Sequence, residues 1–225
     1  MNLVAFLLDR YPTTKTIIQT GSHVYGTNHQ ASDLDLVLIL NQQDIPESIR
    51  VENMDLYFYT ETSWRQALDR NEAKALELVF TPKEFLLYGV YDTNVKIHGP
   101  YLRKTFGEVC RHAWDRGMKK LTKEVSPHEH YIGKKSLFHS LRMFIMAKQL
   151  YETGQLDWAE IKKTNTIYLE LLSKSRDEIL AELGKYQGLY KQYDKAFREI
   201  PNEEQLRQKE KLLETSAQLR QMLKR

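Results

Sequence analysis

A single cysteine, Cys110, in 225 residues leaves no partner for an internal disulfide and no Cys-x-x-Cys pair for a zinc or redox site. That usage fits a reduced, cytoplasmic protein. Long apolar runs are also missing. The longest near the start, residues 3–8, is closed by Asp9 and Arg10, too short for a membrane span and without the basic start of a secretion signal. Six Pro and ten Gly exclude collagen-like and linker classes, and 41% hydrophobic with 28% charged residues is ordinary globular composition. The length suits one or two domains.

Net charge is only +3, but it is unevenly spread. Residues 1–100 carry 8 Lys and Arg against 13 Asp and Glu, whereas residues 101–148 carry 11 against 4. An acidic first half followed by a basic middle matches a site in which carboxylates hold metal ions and cations hold phosphates. Two separately solvated faces would give the same totals.

The spacing predicts a short helix over residues 3–9, stopped by Tyr11-Pro12, and a β-branched strand over 16–20. Gly21 and Ser22 then open a polar loop running to Ser32. Residues 33–40 (DLDLVLIL) read as a strand whose pleat puts Asp33 and Asp35 on one face. Residues 54–60 (MDLYFYT) alternate likewise, with Asp55, Tyr57 and Tyr59 opposite Met54, Leu56 and Phe58. From Ser63 the pattern becomes helical, and no strand is expected beyond residue 98. Helices are expected over 101–123 and 133–151, with two or three more from Asp157 to the end, broken near Pro201. The expected architecture is α+β: a small mixed sheet with helices over residues 1–98, then an all-helical unit over 99–225.

Two carboxylates at i and i+2 on one strand face can share a pair of Mg²⁺ ions, with Mn²⁺ as a substitute, because these ions favour oxygen ligands and bridge to substrate phosphates. Asp55, on the next alternating strand, is the natural third acid. The Gly21-Ser22 turn offers backbone N–H groups and a hydroxyl where a bulky side chain would block a triphosphate. Gly-Ser, ten residues, then Asp-x-Asp resembles the signature of the polymerase-β-type nucleotidyltransferase superfamily. The fuller string GSHVYGTNHQASDLDL, with NEAKALELVFTP and KSLFHSLRMFIMAKQLYETG further on, is similar to a stand-alone bacterial and phage group within it. One departure is that only two residues separate His139 from Arg142, where the group has three.

The resemblance implies an enzyme that transfers a nucleoside monophosphate from an NTP to a hydroxyl and releases pyrophosphate. Asp33, Asp35 and Asp55 would be its metal ligands and catalytic acids, and Gly21 and Ser22 would hold the β- and γ-phosphates. At 100° per residue, Lys135, His139 and Arg142 gather on one helix face, opposite Leu137, Leu141 and Phe144. Lys135 and Arg142 are assigned to nucleotide phosphates, and His139 to a hydrogen bond with nucleotide or acceptor. The acceptor is open: an RNA 3′ end is favoured by the aromatic residues among the cations of 101–148, with a small molecule or a protein hydroxyl as alternatives. A catalytically silent nucleotide-binding module is the rival of another class. His128 and His130 have no third ligand at metal spacing and read as exposed loop histidines. Cys110 reads as a small buried hydrophobe.

Overall fold

The computed structural model describes residues 2–30, 32–42, 45–90, 94–123 and 126–222, the side chains of 215 and 217–222 excepted. Helix α1 (Leu3–Arg10) starts at Asn2, whose side chain accepts from the N–H groups of Val4 and Ala5. Strand β1 (Thr14–Thr20), the short helix α2 (Ser22–Tyr25) and strand β2 (Leu34–Leu40) come next. After them lie the hairpin β3 (Ser48–Val51) and β4 (Met54–Thr60), helices α3 (Glu61–Asp69) and α4 (Ala73–Val79), and strand β5 (Leu86–Gly89). The sheet order is β3-β4-β2-β1-β5, mixed, with only β2 and β4 parallel.

The sheet is buried on both faces, so β2 reads as a continuous apolar run. Leu36, Leu38, Leu40, Leu56 and Phe58 pack under α1 in one cluster. Ile18, Val37 and Ile39 point the other way, into a cluster that runs on through Trp64, Leu76 and Leu78 to Leu102, Phe106, Met143, Phe144 and Leu150. These last residues belong to α5 (Gly99–Thr122) and α6 (Pro127–Thr153), which form a long antiparallel hairpin. The two helices lie close together at Gly117 and Gly133, where a Cβ would lie 2.7 Å from the Leu137 side chain and 3.1 Å from that of Leu121. Ser140 donates across the hairpin to the Cys110 carbonyl at 2.7 Å. Cys110 is fully buried, as expected, and burial pushes its thiol well up.

Asn71 ties the two halves together. Its side chain accepts from the His98 N–H at 2.6 Å and donates to the Lys96 carbonyl at 3.0 Å, while its own carbonyl accepts from Thr105 at 2.6 Å.

Several expectations need correction. Residues 22–25 form a helical turn rather than loop, capped by Gly26 in the left-handed region. Strands β3 and β5 escape the sequence pattern, because four residues each are too few to establish a period. Helix α6 starts six residues early because Ser126 caps it and Pro127 takes its first position, so His128 and His130 lie on a helix, not a loop. The tail is split among α7 (Trp158–Lys163), α8 (Asn165–Ser173), α9 (Arg176–Ala181), α10 (Leu183–Phe197) and α11 (Glu203–Met222). Caps at Asp157 and Ser175 start helices of their own, so the tail holds more and shorter helices than the two or three expected.

Candidate active site

Asp35 stands on β2 directly opposite Asp55 of β4 in parallel register, and Thr20 of β1 pairs with Asp35 on its other side. By strand alternation both acids share a face with Val37 and Ile39, the face turned toward α5 and α6. Asp33 lies one residue before β2. The two-residue turn Glu52–Asn53 of the β3–β4 hairpin sits beside it, with the Asn53 carbonyl accepting from the Leu34 N–H at 2.9 Å.

Gly21 is fixed in place by two independent constraints. Its φ of +73° lies in the region where side chains are strained, and a Cβ there would come within 2.0 Å of Asp35 Oδ2. The backbone of the Gly21-Ser22 turn therefore lies directly against a carboxylate.

The acids, the Gly-Ser turn and the basic helix line one cavity of about 1070 Å³. Gly21, Ser22, Asp33, Asp35, Asp55, Lys135, His139 and Arg142 all contribute to its wall. Two helix stripes face the sheet across it: Val109, His112, Ala113 and Arg116 on α5, and His128, Tyr131, Lys135 and His139 on α6. A separate hollow of about 740 Å³ between β1, α3 and residues 94–101 contains none of the three acids.

The helix face does not have the expected form. Lys135 is exposed, with Nζ 5.4 Å from the Tyr131 ring centre, but Arg142 is only 6% exposed and sits deep in the wall. Between Ser136 and Ala147 α6 is buried nearly all round, so the residues opposite its leucines are largely enclosed too. The Arg142 guanidinium lies 3.2 Å from the centre of the Tyr25 ring, and its Nη2 donates to His139 Nδ1 at 3.1 Å. Arginine can only donate, so Nδ1 is the acceptor and His139 carries its proton on Nε2. Burial, then the Arg142 charge, pushes His139 down to about 3 and keeps it neutral.

Glu77 of α4, also buried, accepts from Thr20 Oγ1 at 3.0 Å, and Lys74 Nζ donates to the same hydroxyl at 3.2 Å. Burial alone would raise the Glu77 carboxyl, but Lys74 and Arg142 outweigh it and hold the group below its ordinary value. Tyr25 Oη and Arg142 Nε are buried without hydrogen-bond partners among the described residues. From the helical half, Asn165 donates to the Tyr25 carbonyl at 2.9 Å and Trp158 to that of Phe80 at 2.6 Å.

Sequence reasoning missed two cations. Lys74 acts electrostatically on Asp35 and lies 5.5 Å from the Tyr57 ring centre. Arg50 of β3, in register with Asp55, places Nη2 2.7 Å from Asp33 Oδ1 and Nη1 3.3 Å from both Asp55 oxygens. The alternation of β4 with its Asp55 could have pointed to a hairpin partner, but an exposed cation on a four-residue edge strand leaves no periodic trace.

The acids suit a hard divalent cation. Their donors are all carboxylate oxygens, and a guanidinium already stands in for a cation between Asp33 and Asp55. Asp35 is held above the usual carboxylate range, by burial first and then by Asp55 and Asp33, with Lys74 and Lys135 opposing. Among the described residues, no group of three His, Cys, Asp or Glu side chains is gathered closely enough to hold a metal as it stands. Two of the acids are turned to Arg50.

A mixed sheet carrying this acid edge behind a Gly-Ser turn, backed by a helical half, defines a nucleotidyl-transfer class of fold. The family model of the nucleotidyltransferase domain matches residues 1–102, and that part of the chain is a nucleotidyltransferase domain of the polymerase-β type. No curated protein matches the chain in sequence. No helix among the described residues is long and apolar enough to cross a membrane.

Proposed function

We propose that the chain transfers a nucleoside monophosphate from an NTP to a hydroxyl acceptor, with an RNA 3′ end as the preferred acceptor and Mg²⁺ or Mn²⁺ as cofactor. The observation that carries this reading is the single cavity with three carboxylates on its sheet wall and Lys135, Arg116 and His112 on its helical wall. Asp33, Asp35 and Asp55 would hold the ions, whose chemistry is to bridge phosphate oxygens and neutralise charge during transfer. In the balanced reaction the acceptor oxygen forms a bond to the α-phosphorus, the bond to the β-phosphate oxygen breaks, and the hydroxyl proton is lost as pyrophosphate leaves.

Gly21 and Ser22 would hold the β- and γ-phosphates, where the absence of a Cβ lets backbone approach. Lys135 meets phosphate charge from across the cavity. Arg142 would contribute from the wall as a fixed, oriented charge rather than a swinging one. Neutral His139 offers an Nε2–H donor to nucleotide or acceptor. Catalysis would otherwise rest on positioning.

RNA is favoured by size and lining. A volume of about 1070 Å³ exceeds what one small ligand usually fills. Tyr131 stands among His128, Lys135 and Arg116, the mixture of ring and cation that single-stranded nucleic acid uses. We further propose that the catalytic unit ends at residue 98 and that 99–225 supplies the opposing wall.

The test is incubation with each α-labelled NTP, Mg²⁺ or Mn²⁺ and total RNA, followed by separation of RNA, protein and small molecules. Label at RNA 3′ ends is expected. Label confined to protein or to small molecules would move the acceptor, and no label with any NTP would defeat the reading.

A further inference from the structure

Arg50 is anchored by its backbone on the edge strand, opposite Asp55 in the β3–β4 ladder. From there its guanidinium spans two acids that come from different segments, Asp33 before β2 and Asp55 within β4. Both partners are acids whose oxygens a divalent ion would need. A carboxylate oxygen engaged by a guanidinium 2.7 Å away has little room for an ion that demands direct oxygen coordination at close range.

The contact is also of a kind that exchanges easily. Arg50 is 56% exposed and Asp33 41% exposed, so water screens both pairings. Asp35 takes no part in the clamp and lies under the Gly21 backbone. A single delocalised charge thus stands between Asp33 and Asp55, while Lys74 and Lys135 act on Asp35.

We infer that Arg50 is a resident counter-cation: it holds Asp33 and Asp55 in place while the acids carry no metal, and it gives up both carboxylates when they take a divalent ion. Arg50 is therefore a positioning residue that competes with the metal for the same oxygens. This rests on the reading of Asp33, Asp35 and Asp55 as metal ligands.

The experiment is Mn²⁺ binding to the full chain without nucleotide, followed by electron paramagnetic resonance of the free ion, for the wild type, Arg50→Met, Arg50→Lys and Asp35→Asn. Arg50→Met should tighten Mn²⁺ by roughly three- to thirtyfold, because two competing surface pairs are gone. Arg50→Lys should fall between, since an ammonium keeps the charge but loses the two-pronged reach. Thermal melts give a second readout. Without metal Arg50→Met should melt below the wild type, and saturating Mn²⁺ should close that gap, which a merely structural arginine would leave open.

Mn²⁺ affinity that is unchanged or weaker in Arg50→Met, or a melting gap that persists under Mn²⁺, overturns the inference while the metal reading stands. Mn²⁺ that binds neither protein, or binds Asp35→Asn as well as the wild type, overturns both. Should Arg50→Met not fold, tightening in Arg50→Lys supports the inference and its absence overturns it.

Discussion

Two arginines face carboxylates that line one cavity, under opposite conditions. Arg50 reaches Asp33 and Asp55 from an edge strand, in contact with water. Arg142 is enclosed, stacked on Tyr25, bonded to His139 and close enough to Glu77 to help hold its carboxyl ionised. In the first cluster each charge retains its solvation, so partners exchange at little cost. In the second, removing one member leaves a buried charge with no water to receive it. In the proposed function the outer cluster meets ligands, while the inner one holds Tyr25, and with it the Gly21–Gly26 turn, against the helical half.

The comparison can be broken most directly at the acids. Asp35→Asn should lower transfer by about 10³-fold, about 4 kcal/mol of transition-state stabilisation, while melting no lower than the wild type, because like-charge repulsion falls. Labelled-NTP turnover and melts on one preparation decide it; a large drop in melting temperature would put Asp35 with the inner cluster.

Glu77→Gln should do the reverse. It keeps a hydrogen-bond acceptor for Thr20 but leaves Arg142 without its counter-charge, and should cost about 3 kcal/mol of stability, read by denaturant unfolding. A loss near zero would show that the inner cluster is as exchangeable as the outer.

The inner cluster also sets a pH dependence. The folded chain keeps His139 neutral down to about 3, under the influence of Arg142, Glu77, Lys74 and Arg116, while the unfolded chain protonates it near the ordinary histidine value. The unfolded state binds the extra proton in that window, so stability should fall as pH drops below about 6.5, by up to roughly 1.4 kcal/mol per unit. Melts from pH 7 to 4.5 should slope more steeply for the wild type than for His139→Gln; parallel slopes would remove His139 from the inner cluster.

The smallest effect belongs to a charge cluster outside the cavity. Lys174 and Lys185 lower the Glu170 carboxyl to about 2, but the group is one-third exposed. Glu170→Gln should shift melting by no more than about 3 °C and leave NTP binding unchanged.

The chemistry was legible where it was local. Gly21, Asp33 and Asp35 lie within fifteen residues and need only strand alternation to be placed, and Asp55 comes from the next alternating run. The groups that join them left no such trace. Arg50 depends on a hairpin too short to show a period, and Lys74 and Glu77 sit on a helix whose pattern speaks of packing. Arg142 illustrates the converse: helical spacing put it on one face with Lys135 and His139, but spacing does not say how many neighbours wrap a helix. With α5, α7, α8 and α10 packed on α6, Lys135 of that trio is exposed, His139 half-buried and Arg142 buried.

The apolar cluster beneath the cavity makes no distinction between the matched domain and the helices beyond it. Val37, Ala75 and Leu76 pack in one body with Phe106, Met143 and Phe144, and Asn71 is bonded to residues on both sides of His98. A gene fragment cut after residue 102 would therefore keep every proposed catalytic carboxylate and lose the surface on which their strands rest, leaving a broad greasy face exposed to aggregation. The unit that similarity detects and the unit that folds differ here, and any transplant of this chemistry to another scaffold must carry the hairpin of α5 and α6 with it.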